Sequence, residues 1–247
     1  MKRTLFQIAV VTLVGAGTLA TSCPASADIG ASKIIAGHKA PSTPWVVQIE
    51  TAGGRIPAGF VEKCTGVQVN ARWVLTARHC TEGITGVNVY QSKSTVAKGS
   101  AIHGQQPVPA PSGDLALIPL MTPSPLRSYA PLDLEAVARN RGEGTIMGFG
   151  LHAHGAMSKH LFMATVALSG SRKDLASGEG QHVTGITGAS NHGDSGGPLI
   201  VDGRVVGLCS DGDTSHPGSQ IHAGSTFALL GQASSWIAAT TGATRGP

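Results

Sequence analysis

Between Trp45 and Leu208 the apolar residues come in pieces of three to six, and Gly, Pro, Asn or Asp stands between most of them. The pieces are Trp45–Ile49, Val67–Val69, Trp73–Thr76, Val87–Tyr90, Leu115–Leu120, Thr145–Phe149, Leu199–Val201 and Val205–Leu208. A packed helix needs an apolar stripe sustained over ten residues or more, so short pieces with turn residues between them predict an all-β sandwich or barrel. The 34 Gly and 14 Pro of the 247 residues supply those turns. With 41% apolar and 13% charged residues the chain has a core to bury, which excludes a disordered protein. Only Ala233 to Thr241 reads as a helix, short and with Trp236 and Ile237 turned inward. Pro123, Pro125 and Pro131 mark a linker between two halves.

The first 27 residues read as an export signal. Lys2-Arg3 precedes an apolar run from Leu5 to Ala20, and Ala25-Ser26-Ala27 is a small-residue cleavage site. The run of 16 residues is shorter than the roughly 20 that a spanning helix needs, so no stable membrane anchor is expected. Cys23 raises the alternative of a lipid-modified cysteine, but Ala20 stands three residues before it where such sites carry Leu. Cleavage after Ala27 removes Cys23 and leaves Cys64, Cys80 and Cys209 in an oxidising environment. Without Lys2 and Arg3 the 18 basic residues become 16 against 14 acidic ones, and the formal charge of +4 falls to +2. No basic patch interleaved with aromatics is present, so no nucleic-acid partner is expected.

Three local patterns carry chemistry. Gly193-Asp194-Ser195-Gly196-Gly197-Pro198-Leu199 sets a serine between glycines, where a substrate backbone can approach and adjacent N–H groups can meet one oxyanion. Trp73-Val74-Leu75-Thr76-Ala77-Arg78-His79-Cys80 supplies an imidazole, and a serine hydroxyl needs such a base to become a nucleophile. Cys64 and Cys80 stand 16 positions apart, and a bridge between them would brace the loop that holds His79. Gly113-Asp114-Leu115 opens an apolar run with a carboxylate, the group that fixes an imidazole tautomer. His, Asp, Ser is one of the known orders of such a triad.

Together these residues resemble the trypsin/chymotrypsin family of serine proteases over about Ile34 to Ile237. Ile34-Ile35-Ala36-Gly37 is similar to the family's mature N-terminus, and Gly148-Phe149-Gly150 to its Gly-Trp-Gly turn. The resemblance implies two antiparallel β-barrels, about 34–125 and 126–247, with the active site in the cleft between them. It implies His79 as general base, Asp114 as its orienting carboxylate, Ser195 as nucleophile, and the Gly193 and Ser195 N–H groups as oxyanion hole. A pro-segment of residues 28–33 would be cut after Lys33, freeing the Ile34 ammonium to pair with Asp194. The specificity pocket would involve Ala189, Ser190 and Ser210, and Ala189 in place of a carboxylate implies preference for uncharged side chains.

The chain departs from the family at several points. Arg78 replaces a small residue, Asp211 stands where Trp is usual, Cys209 has no evident partner, and the bridges flanking the pocket are missing. Zinc would need three or four converging ligands, and the ten histidines, His152, His154, His160, His216 and His222 among them, read instead as solvated loop residues. Asp211 and Asp213 are too few for a calcium loop, so neither metal nor cofactor is expected. The expected partners are protein or peptide substrates and protein protease inhibitors, met by a secreted monomer. A non-catalytic binding relative and an esterase remain as alternatives on the same fold.

Overall fold

The computed structural model describes residues 34–151, 153–155, 157–214 and 218–243; the expected signal (1–27) and pro-segment (28–33) lie outside them. The first antiparallel sheet contains β2 (Val46–Ala52), β3 (Glu62–Gln68), β4 (Trp73–Thr76), β5 (Gly86–Tyr90), β6 (Ile102–His103), β7 (Val108–Pro109) and β8 (Ala116–Pro119). Its order is β6-β5-β2-β3-β4-β8-β7. A bridge between Gly104 and Leu120 draws its flanks together, with Gln105 N–H donating to the Pro119 carbonyl at 2.8 Å and Met121 N–H to that of His103 at 2.9 Å.

The second sheet contains β9 (Glu143–Gly148), β10 (Phe162–Lys173), β11 (Glu179–Gly185), β12 (Pro198–Val201), β13 (Arg204–Gly212) and β14 (Gly224–Leu229). β10 pairs with β11 on one side and β9 on the other, which closes these six strands into a barrel. The all-β architecture is as the short apolar pieces predict, and its two barrels are as the family resemblance implies. One boundary differs. Residues 34–39, counted with the first half, sit on the second barrel: β1 (His38–Lys39) pairs with β10, and Ile35 bridges Ala189. Ile34 and Ile35, each 1% exposed, find their apolar surroundings there.

The largest apolar cluster spans both barrels. Val67, Leu75 and Leu117 of the first meet Val205 and Leu208 of the second, while Leu132 and Leu134 arrive from the proline-rich connection. Fully burying side chains of this size contributes roughly 1.5–3 kcal/mol each, so the barrels are held as a pair. The C-terminal helix α1 (Ser234–Thr241) buries Ile237 in this cluster and rests Trp236 against it. It stops at Gly242, whose left-handed backbone (φ 73°) lets its N–H cap the Ala238 carbonyl. Asn70 Nδ2 donates to the Thr241 carbonyl at 2.7 Å, fastening the helix to the first barrel. Cys64 on β3 and Cys80 are joined by a disulfide, closing a loop worth about 3 kcal/mol.

Candidate active site

The turn before β12 carries Ser195, and the first barrel holds that turn through one residue of β3. Thr65 N–H donates to the Ser195 carbonyl at 2.8 Å, and its hydroxyl to the Gly193 carbonyl at 2.9 Å. The same hydroxyl accepts Phe149 N–H at 3.2 Å, while the Thr65 carbonyl accepts the Thr76 hydroxyl at 2.9 Å. Gly196 has φ +78°, and a Cβ there would collide with the Thr65 carbonyl and the Thr76 hydroxyl. Glycine is therefore required beside the serine. The amide N–H groups of Gly193 and Ser195 donate to no protein acceptor among the described residues. Both remain available to an incoming oxygen.

His79 follows β4 in the 3₁₀ turn Arg78–Thr81, whose next residue is the bridged Cys80. Its Nδ1 lies 2.7 Å from Asp114 Oδ2, and its backbone N–H donates to Asp114 Oδ1 at 2.9 Å. The Ser210 hydroxyl donates to Asp114 Oδ2 at 2.7 Å. Asp114 is 1% exposed. Burial pushes its carboxyl up, but the hydrogen bonds and charge of His79, together with the Ser210 hydroxyl, outweigh that and hold it below the usual carboxylate range. An ionised carboxylate only accepts, so Nδ1 carries the hydrogen and Nε2 keeps its lone pair. His79 and Ser195 line one cleft of about 780 Å³. Among the described residues the Ser195 hydroxyl makes no hydrogen bond to His79; such bonds tighten when substrate binds.

Asp194 lies 2% exposed beneath the serine turn. Its Oδ1 accepts Gly150 N–H at 2.8 Å and its Oδ2 accepts Asn191 N–H at 2.9 Å. Desolvation pushes its carboxyl up to about 7, against those two hydrogen bonds. Ile34 packs in the cluster that contains Cys209, and the Asp194 charge reaches the Cys209 thiol, where burial and that charge push the pKa up. Cys209 is a buried free thiol.

Ser190, Cys209 and Ser210 line the cleft, but Ala189 does not. Ala189 is 2% exposed and packs with Ile35, Ala223 and Ile221, so the expected pocket floor is instead a partner of the N-terminal segment. Asp213 on the cleft wall bonds His182 Nε2 at 3.0 Å and pairs with Arg172. Asp211 Oδ1 accepts the N–H of Gly212 at 2.9 Å. His152 and His216 lie outside the described residues, and among those residues no group of three metal-binding side chains gathers. Sequence reasoning missed Thr65, a polar residue in a strand, and Asp174, whose turn Asp174–Gly178 carries no chemical signature in the chain.

A family model described as Trypsin matches residues 34–237. A trypsin of Phaedon cochleariae is 26% identical over 235 residues, covering 81% of this chain and 88% of its own. Serine protease 56 of Mus musculus is 32% identical over 68% of this chain, which spans only 31% of that longer protein. The solved structure of neuropsin, a serine protease of mouse brain, superposes with a TM-score of 0.65 at 22% identity and covers 83% of this chain and 98% of its own, a likeness of fold. With the family model spanning both barrels and the cleft between them, the chain belongs to the trypsin family of serine proteases.

Proposed function

We propose that the chain is a secreted serine endopeptidase, made as a precursor, that hydrolyses peptide bonds through an acyl-enzyme on Ser195. The observation that carries this reading is the buried Asp114 carboxylate held against His79 Nδ1, with the Nε2 lone pair left for a serine of the same cleft. Ser195 Oγ attacks the scissile carbonyl as His79 Nε2 takes its proton, and the free N–H groups of Gly193 and Ser195 bind the oxyanion. His79 then protonates the leaving amine, and water repeats the sequence to release the acid. Export rests on the Lys2-Arg3, Leu5–Ala20 and Ala25-Ser26-Ala27 pattern. Among the described residues no helix is long and apolar enough to cross a membrane.

Activation by cleavage after Lys33 is part of the same reading. In the uncleaved chain the Ile34 nitrogen is an amide, and Asp194 is a buried carboxyl without a cation. Its folded pKa of about 7 lies above the ordinary 3.8, so between those values the folded precursor holds a proton that the unfolded chain has released. Precursor stability should therefore fall by about 4 kcal/mol as pH rises through that window. In the processed chain the Ile34 ammonium pairs with Asp194 and the fall should vanish. That stabilisation is lost only as pH rises through the ammonium's own pKa, raised above about 8. Urea unfolding of both forms in a Ser195→Ala background checks this. Equal pH dependence of the two forms would contradict it.

Specificity follows from the cleft. Ser190, Cys209 and Ser210 offer no charge, Arg55 engages Glu62, Arg172 and His182 engage Asp213, and the remaining cleft carboxylate, Asp211, is exposed, so the polar wall favours an uncharged side chain over a buried cation. Profiling the processed enzyme on a peptide library should show cleavage after uncharged side chains. No hydrolysis of any peptide would defeat the endopeptidase reading; tenfold preference for Arg or Lys would defeat the specificity alone.

A further inference from the structure

The mechanism above leaves one buried carboxylate beside the site unused. Asp174, 5% exposed, follows β10 and opens the turn to β11. Its two oxygens do different things. Oδ1 accepts Ala176 N–H at 2.9 Å and Gly178 N–H at 2.8 Å, which folds the turn. Oδ2 turns away from it, accepting Asp114 N–H at 3.0 Å, 60 positions earlier in the chain, and Gln232 Nε2 at 3.2 Å. All four donors are neutral, so burial of this charge is not offset by a cation.

The same turn reaches Asp114 by a second route. Leu175 N–H donates to Ser210 Oγ at 3.1 Å, and Ser210 donates to Asp114 Oδ2 at 2.7 Å. Asp114 is thus gripped at its backbone and at its carboxylate from the second barrel. The close approach is built in: a Cβ on Gly178 would stand 2.7 Å from Asp174 Oδ2 and would collide with Gln232. A turn cap alone needs one acceptor oxygen, which Asn would supply. The reach of Oδ2 across the barrels needs another explanation.

We propose that Asp174 is a positioning residue for the reaction: it anchors the Asp114 backbone so that the Asp114 carboxylate meets His79 Nδ1. This rests on the triad reading above. In the Asn variant one of the two oxygens becomes an N–H donor, so either the Asp114 N–H or the turn loses its acceptor, and the charge is gone. The groups around His79 stay in place. These are Asp114 against its ring, Asp211, His192 and Lys63 along the cleft, and the Arg78–Glu82 pair at 3.1 Å on its own turn.

The test measures kcat and KM for the processed Asp174→Asn, Gln232→Met and Asp114→Asn enzymes, with thermal unfolding of each. Asp174→Asn should lower kcat about tenfold with KM within about twofold, as expected for misplacement of a group acting on the reacting atoms. Gln232→Met removes one of the two donors on Oδ2 and leaves the Asp114 N–H bond, and should lower kcat less, again with KM within about twofold. A folded Asp174→Asn enzyme with unchanged kcat, or with the loss confined to KM, would overturn the proposal. Should that variant not fold, a Gln232→Met enzyme with full kcat would overturn it, and a lowered kcat at constant KM would support it. A fully active Asp114→Asn enzyme would defeat the triad reading and the proposal together. A crippled Asp114→Asn enzyme beside an unaltered Asp174→Asn enzyme would defeat the proposal alone.

Discussion

Replacing Ser195 or His79 with alanine is expected to lower kcat by about 10⁶-fold, because nucleophile and base act as one unit and neither works without the other. What should survive is transition-state stabilisation by the Gly193 and Ser195 N–H groups, which need no side chain. The Ser195→Ala protein should also keep its unfolding midpoint. The serine turn is held by backbone groups: Thr65 N–H on the Ser195 carbonyl, Gly196 N–H on the Cys209 carbonyl at 2.8 Å and Cys209 N–H on the Gly197 carbonyl at 2.8 Å. His79→Ala should be less stable, since Asp114 then stays buried with only the position-79 N–H and the Ser210 hydroxyl on its oxygens. Steady-state kinetics beside thermal unfolding separates the two effects. A residual activity within a hundredfold of wild type in either variant would show that another nucleophile or base operates.

Asp114→Asn should cost roughly 10⁴-fold in kcat with the fold retained. The shape is conserved, but an amide turned toward His79 Nδ1 donates where the carboxylate accepted. The imidazole then carries its hydrogen on Nε2 and has no lone pair for the serine proton. The wild-type carboxyl, held below the usual range by His79 and Ser210, stays ionised well into acid, so its contribution to stability is present at neutral pH and lost as pH falls through its depressed value. The Asn variant should lack that acid-side loss. Activity within tenfold of wild type would mean that another carboxylate orients His79.

The candidate site left a clearer mark in the sequence than the individual strands around it. Ser195, His79 and Asp114 each sit in a short string whose composition is set by local demands, such as glycine at Gly196 where a Cβ cannot fit. The strands β10, β11 and β14 were not visible as apolar pieces, because their core residues, Val166, Leu168, Val183, Phe227 and Leu229 among them, stand between small and polar ones. Gln181 on β11 is 2% exposed and spends its amide on the carbonyls of Arg139, Gly170 and His182. A hydrogen-bonded core side chain of this kind has no hydropathy signature. Thr65 and Asp174 escaped for a related reason, as their importance lies in contacts 128 and 60 positions away along the chain. Counting back from Ser195 sets a position in the chain and not the direction a residue faces, and in the fold Ala189 pairs with Ile35 and is absent from the cleft lining.

Ser195 as the nucleophile that His79 and Asp114 activate is tested most directly by peptide mass spectrometry of the processed enzyme after inactivation by an aryl sulfonyl fluoride. One sulfonyl group per chain on the peptide containing Ser195, absent from the His79→Ala protein treated in parallel, is the predicted result. Complete inactivation with the label on another residue, or full activity of an enzyme labelled at Ser195, would contradict it.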